Sequence, residues 1–378
     1  MNRSSRALVF LFALALTARG VNIAGQPLVS GVQSELRFMK LLNSAEHGDI
    51  AREIEVADGY LIGQGVKQNA QLAAEWYEKA ANAGNPGAQN QIGYMYQAGL
   101  GVPRDLQRAA RWYQLSATNG SIIGKVNLAV AYVWGIGVQP NPALGAVLLS
   151  EASKKGNGIA AAYLGDLYVN GTGVTQDLYR GIACYERGAK LHSYYAEYKL
   201  AVFLSKPDKH PQDLARSVSL LKSSISQGYV PAMYALGLIA VNHPESQVPH
   251  QEALDVLKSA SDAGSWKAST VLGALARDGK WAPKNQEDAY RYFQRAAVQG
   301  GDTVKEYVKN DLQRLSLLLD EHTVAALDEE TTEWASKHTV SLVLIHKADQ
   351  KPAPFGNYAL TSPPPGEHTG HIVSVNPD

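Results

Sequence analysis

Apolar side chains recur along this chain in short blocks with helical spacing, and the blocks are separated by breaks rich in glycine and small polar residues. Ala88, Ile92, Met95 and Tyr96 lie at i, i+4, i+7 and i+8, one stripe of a 3.6-residue helix. Ala73, Trp76, Tyr77, Ala80 and Ala81 give the preceding block a matching stripe. The blocks keep register over long distances. Val56, Ile92, Leu128, Leu164, Leu200, Leu236 and Leu272 follow one another at steps of 36 residues. So do the small residues Ala73, Ala109, Gly145, Gly181, Ser217, Ala253 and Ala289. A larger series, Trp76, Trp112, Leu148, Cys184, Leu220, Val256 and Tyr292, reads as filling the space beside them. Small residues let two helix backbones approach, and each amphipathic stripe needs a neighbour to cover it. The pattern predicts helix pairs stacked along one axis, all-α, with no strands.

The breaks carry the same period. Gly63-Gln64-Gly65-Val66 recurs at residues 99–102, 135–138 and 171–174 as a GxGV loop. A second glycine series runs Gly48, Gly84, Gly120, Gly156, skips at His192, and resumes at Gly228, Gly264 and Gly300. These glycines suit the left-handed turn that ends a helix, which is costly for other residues. Asn69, Asp105, Asn141, Asp177, Asp213 and Asn285 form one candidate N-cap series, and Asp49, Asn85, Ser121, Asn157, Ser193 and Ser265 form another. The predicted unit is helix, GxGV loop, helix, tight turn.

The stretch from Ala88 to Gly120, AQNQIGYMYQAGLGVPRDLQRAARWYQLSATNG, resembles the Sel1-like repeat family. The resemblance covers residues 35–300 and is strongest from 50 to 190. It implies a right-handed α-solenoid of antiparallel helix pairs with a concave surface lined by the first helix of each pair, and no single activity. The units near 200–250 are degenerate, with Pro207-Asp208-Lys209-His210 and His243-Pro244-Glu245-Ser246 where the glycine loops belong. After residue 300 the period is lost. Two longer helices, 304–319 and 323–338, are expected to cap the array within 301–340, since terminal repeats must cover an exposed end. Residues 341–378 form a tail with Pro352, Pro354 and Pro363, Pro364 and Pro365.

At 378 residues the chain exceeds what one compact core supports, which a repeat array resolves. Lys plus Arg and Asp plus Glu balance at 35 each, so no long-range field holds a polyanion, and nucleic acid is not an expected partner. One cysteine, Cys184, excludes an internal disulfide or a zinc ribbon. Arg3 and Arg6, the apolar run from Ala7 to Leu16, and Ala18-Arg19-Gly20 read as a signal peptide over residues 1–20, followed by a linker over 21–34. Ten apolar residues fall short of the ~20 needed to span a bilayer. No other stretch reads as a membrane segment, and a periplasmic location is expected.

Nothing assembles a catalytic site, a cofactor site or a metal site. Cys184 sits in an apolar series, so packing outweighs nucleophilic use. Ser219-Leu220-Leu221-Lys222 has the SxxK spacing of penicillin-recognising enzymes without their companion motifs. The histidines are scattered. Binding is better motivated. If the first helices line a concave face, their variable positions meet a protein partner: Asp58, Tyr94, Asn127, Tyr163, Asp166, Tyr198, Lys199 and Tyr234, with Trp134 before a loop. Tyrosine and tryptophan are favoured at energetic centres of interfaces. The expected function is a non-catalytic protein-binding adaptor. The family resemblance also allows an immunity protein that sequesters a secreted effector such as a lipase, or an envelope polysaccharide assembly scaffold.

Overall fold

A computed structural model of the protein describes residues 30–206 and 211–337. The segments read as signal peptide and proline-rich tail lie outside the described residues, as does the degenerate loop 207–210. The described residues form sixteen α-helices and no strand. They divide into two compact units, one up to Arg104 and one from Asp105. The first holds α1 (Ser30–Glu46), α2 (Ile50–Ile62), α3 (Ala70–Asn82) and α4 (Pro86–Ala98). The second begins with α5 (Leu106–Thr118), α6 (Ile122–Trp134), α7 (Pro142–Lys154), α8 (Gly158–Asn170) and α9 (Leu178–Lys190). It continues with α10 (Tyr194–Leu204), α11 (Pro211–Ser226), α12 (Val230–Asn242), α13 (His250–Asp262) and α14 (Trp266–Asp278). It closes with α15 (Gln286–Ser316) and α16 (Glu321–Lys337). The helix that opens the first unit starts at Ser30, inside the stretch read as a linker.

Both capping series act as the sequence predicts, with one exception. Asn69, Asp105, Asn141, Asp177 and Asn285 each accept a hydrogen bond from the backbone N–H three residues on. Asp49, Asn85, Ser121, Asn157, Ser193 and Ser265 do the same for the other helix of each pair. Such a cap contributes about 1 kcal/mol. Asp213 is the exception: α11 starts at Pro211, so Asp213 lies in the first helical turn, where its charge meets the positive end of the dipole.

The tight-turn glycines from Gly48 to Gly264 are left-handed, with φ between 82° and 93°. His192 takes the same turn with φ 53°, which explains how the series survives its one gap. Gly300 departs from the reading. The chain stays helical through it, and the left-handed residue is Gly301, φ 68°, where α15 kinks.

The second glycine of each GxGV loop has a separate reason. A Cβ on Gly137 would lie 1.9 Å from the Leu106 carbonyl oxygen, and one on Gly101 would lie 2.1 Å from that of Ala70. Each loop is therefore pressed against the start of the second helix of the preceding pair, a backbone-to-backbone contact that holds successive repeats together.

Packing follows the columns. The Val56-to-Leu272 series is buried throughout, and so is the small-residue series. The large-residue series is a correction: Trp76, Trp112, Leu148, Cys184, Leu220, Val256 and Tyr292 are only half-buried. The core positions come one residue later, at Tyr77, Tyr113, Leu149, Tyr185, Leu221, Leu257 and Phe293. A helical turn of 100° per residue leaves either neighbour able to face inward, and the helix pair decides which does. Burying one such side chain contributes roughly 1.5–3 kcal/mol. At the end of the second unit, Val304, Val308, Leu315 and Leu327 from α15 and α16 pack with Phe293, so the last pair covers the final repeat.

Candidate functional site

In the second unit the first helices of successive pairs touch directly: α8 meets α10, α10 meets α12, and α12 meets α14. This row brings Tyr163 and Asp166 on α8, Tyr194, Tyr195, Tyr198 and Lys199 on α10, and Tyr229 just before α12 into one cluster, with Tyr234 of α12 at its edge, near enough to Tyr198 to feel its charge. Tyr163 and Tyr195 have ring centroids 5.3 Å apart. Tyr229 sits between Tyr194 at 5.0 Å, Tyr198 at 5.3 Å and Tyr195 at 6.2 Å. Tilted and edge-on pairs of this kind add about 0.5–1.5 kcal/mol beyond area burial. Tyr229 is buried, while Tyr163, Tyr194, Tyr195, Tyr198 and Tyr234 are half-buried.

Asp166 organises the cluster. Its carboxylate accepts from the hydroxyls of Tyr185 and Tyr195, both at 2.6 Å, and lies 3.0 Å from the Lys199 ammonium. That ammonium also sits over the Tyr195 ring, 5.5 Å from its centroid. The charges of Asp166 and Lys199 cancel, so the face is polar but neutral. Burial raises the pKa of five of the phenols, Tyr163, Tyr194, Tyr195, Tyr229 and Tyr234. Tyr194 is raised by burial alone, and Tyr195 well above its ordinary value by burial and then by Asp166. Tyr163 is raised by burial, with Tyr194 and Asp166 adding to it. Tyr229 is raised by burial and then by Tyr198, and Tyr234 is pushed up to about 12. All of these hydroxyls are protonated at neutral pH and able to donate.

Five of the positions singled out from the sequence, Tyr163, Asp166, Tyr198, Lys199 and Tyr234, thus come together. The others do not. Trp134 ends α6 and is 44% exposed. Tyr94 and Asn127 are corrections: read as non-core positions, they are buried in α4 and α6. Neighbouring residues on one helix turn share the interior when a second pair covers both. In the first unit Asp58 accepts a short hydrogen bond from the core hydroxyl of Tyr77, a tethering role that Asp166 repeats with Tyr185.

Tyr194, Tyr195 and Tyr229 were missed. Tyr229 occupies the slot of the second capping series and makes no side-chain cap. A tyrosine where every other repeat keeps a capping residue was the available signal.

Burial raises the Cys184 pKa, which disfavours the thiolate. Ser219 is exposed, and Lys222 is engaged by Glu252 at 2.8 Å. Among the described residues no three His, Cys, Asp or Glu side chains converge to hold a metal ion. No helix among them is long and apolar enough to cross a membrane.

Comparison with known proteins agrees with the all-helical repeat fold. The Sel1 repeat model matches residues 54–85, 86–121, 124–157, 158–193, 195–229 and 267–301, more than half of the chain. The crystal structure of a Sel1 repeat protein from Oxalobacter formigenes is similar with a TM-score of 0.55 at 24% identity, covering 74% of this chain and 82% of that one. The alginate biosynthesis protein AlgK of Pseudomonas aeruginosa is 34% identical over 95 residues. That match covers 25% of this chain and 18% of AlgK, so this chain spans less than a fifth of that relative's length. The immunity protein Pa5087 of Pseudomonas aeruginosa gives a TM-score of 0.36 at 18% identity, covering 58% of this chain and 81% of that one. A likeness that low does not bear on function.

Proposed function

Because the chain belongs to the Sel1 repeat family, a family of protein-interaction scaffolds, we propose that it is a non-catalytic adaptor that docks a protein partner on the tyrosine face of α8, α10 and α12 after export to the periplasm. The observation that supports this reading is the cluster itself. Six tyrosines from three repeats share one neutral face, with rings for stacking and protonated hydroxyls for hydrogen bonds. Half-buried tyrosine is the composition of interface centres.

The reading is tested by capture from a periplasmic extract with Tyr163→Ala, Tyr198→Ala and Tyr234→Ala, each checked for helical content. At least one should weaken capture by more than tenfold, about 1.4 kcal/mol. Normal capture by all three would exclude this face. Export is tested by N-terminal sequencing of the mature protein, expected to begin near Val21.

A narrower reading is that the adaptor serves an envelope polysaccharide assembly system. The 95-residue likeness to AlgK supports it. The captured partner decides: an assembly component favours this reading, and a toxic secreted effector favours an immunity role.

A further inference from the structure

The second helices carry a paired-charge position that recurs with the repeat. Lys79 of α3 meets Glu53 of α2 at 2.8 Å, and two repeats on the signs are exchanged, with Glu151 of α7 meeting Lys125 of α6 at 2.6 Å. Each pair joins residues 26 positions apart. Arg187 of α9 is the next member of this series after Glu151, and the residue 26 positions before it is Ala161. Its guanidinium therefore lacks the carboxylate that the pattern supplies elsewhere, and no other ion-pair partner meets it among the described residues.

Arg187 lines an open cleft of about 540 Å³ at the C-terminal ends of α7 and α9, together with Ser153, Lys154, Glu186 and Lys190. Small-ligand sites occupy roughly 300–1,000 Å³. Lys154 and Lys190 hold the same place in successive repeats, 36 residues apart, where the others have Asn82, Thr118, Ser226, Asp262 and Val298. A helix C-terminus favours a cation, which accounts for each lysine separately. It does not account for three cations around one cleft, none of them ion-paired among the described residues, because like charges oppose one another. The one carboxylate in the lining, Glu186, lies 3.5 Å from Arg216 of α11. On a chain whose charges balance at 35 of each sign, the cleft is a local excess of positive charge. Ser153 adds an independent observation. It is 4% exposed, and its hydroxyl has no hydrogen-bond partner among the described residues. A buried hydroxyl in that state is costly unless something brings it a partner.

We propose that this cleft binds an oxyanion, a phosphate or carboxylate group, with Arg187, Lys154 and Lys190 supplying the charge and Ser153 a hydroxyl donor. An oxyanion suits all four groups at once, since its oxygens accept from N–H and O–H and its charge offsets the excess. The planar guanidinium of Arg187 matches a two-oxygen edge, and the lysines act as point charges beside it. The same chemistry recognises a free ion and an acidic segment of a protein partner. The cleft lies on second helices and the tyrosine row on first helices, so the adaptor reading and this one stand or fall separately.

The experiment is titration of the full chain with sodium phosphate, and separately with a hexaglutamate peptide, at constant ionic strength in chloride, followed by backbone amide chemical shifts. Gly156, Ala183 and Leu191, the uncharged residues of the lining, should shift and saturate. Arg187→Ala should weaken the apparent Kd at least tenfold. Ser153→Ala should weaken it about threefold without lowering the urea midpoint, because the variant removes an unpaired buried hydroxyl. Lys258→Ala, at an exposed lysine of α13 outside the cleft, should change nothing. Tighter binding of the peptide than of phosphate assigns the cleft to an acidic segment of a partner, and the reverse assigns it to a free ion. The absence of saturable shifts with both probes would overturn the proposal. So would an equal loss in Lys258→Ala and Arg187→Ala, which marks diffuse attraction to surface charge. Undiminished binding by Ser153→Ala would overturn the role given to its hydroxyl.

Discussion

The regular repeats from α5 to α9 and the degenerate ones from α10 to α13 are built by different means yet stack alike. In the regular part, the loop after α6 turns on two left-handed glycines, and the second is pinned against the Leu106 backbone. In the degenerate part the glycines are gone. After α12 the chain makes a short 3-10 turn, Pro244–Ser246, and the left-handed residue is Gln247, φ 57°. One repeat later Trp281 holds the place of the second glycine with φ 73°, and its ring stacks on His250 at 4.7 Å. His250 begins α13, so the loop still rests on the start of the second helix of the preceding pair, through two side chains instead of two backbones. Helix length and buried columns carry the stacking, and loop chemistry is replaceable. The tyrosine face lies mostly where the loops are degenerate.

The core should not distinguish the two parts. Leu128→Ala and Leu236→Ala remove side chains from the same buried column, and each should cost roughly 2–5 kcal/mol in urea unfolding. A cost confined to Leu128 would mean that the degenerate repeats do not depend on this column.

The loops should distinguish them sharply. Gly137→Ala places a Cβ against the Leu106 carbonyl and demands a left-handed alanine, costing about 3 kcal/mol from strain and overpacking together. Gln247→Gly relieves a left-handed side chain and should be neutral or stabilise by up to ~1 kcal/mol. If both variants unfold at the same urea concentration, the loops are equivalent after all.

Within the tyrosine cluster, Tyr185→Phe leaves Asp166 without one of its donors and should cost about 1.5–3 kcal/mol, the range for hydrogen bonds to charged groups. Tyr229→Phe removes a hydroxyl with no such partner among the described residues and should stay within ~0.5 kcal/mol.

Alkaline pH sharpens the same contrast. Tyr163, Tyr194, Tyr195, Tyr229 and Tyr234 have folded pKa values above the ordinary ~10 of the unfolded chain, so the folded state holds their protons more tightly. Their contribution is fully present below pH ~10 and is lost as pH rises through the folded values. Tyr234, pushed up to about 12, defines a window from pH ~10 to about 12. The slope of stability against pH in that window should flatten in Tyr234→Phe.

Ser219→Ala, the smallest expected effect, should leave stability within ~0.5 kcal/mol and partner capture unchanged.

What the sequence by itself determined is whatever repeats. A 36-residue period in caps, turn glycines and small residues is a local signal written many times, and each element it implies needs only its own few residues to form. The helices, their caps and the stacked architecture followed. Five of the eight residues of the candidate site were legible for the same reason: Tyr163, Asp166, Tyr198, Lys199 and Tyr234 stood out as variable positions on first helices. What only the tertiary structure decided is which variable positions meet. Residues on one helix differ by 100° per step, and a shift of one residue separates the half-buried Trp76 series from the buried Tyr77 series. That angle is set by how neighbouring helices pack across a repeat boundary, a contact between residues some 30 positions apart. It placed Tyr94 and Asn127 inside, and it gathered Tyr194 and Tyr195 around Tyr229, with Tyr195 bonded to an aspartate whose partners no single repeat contains.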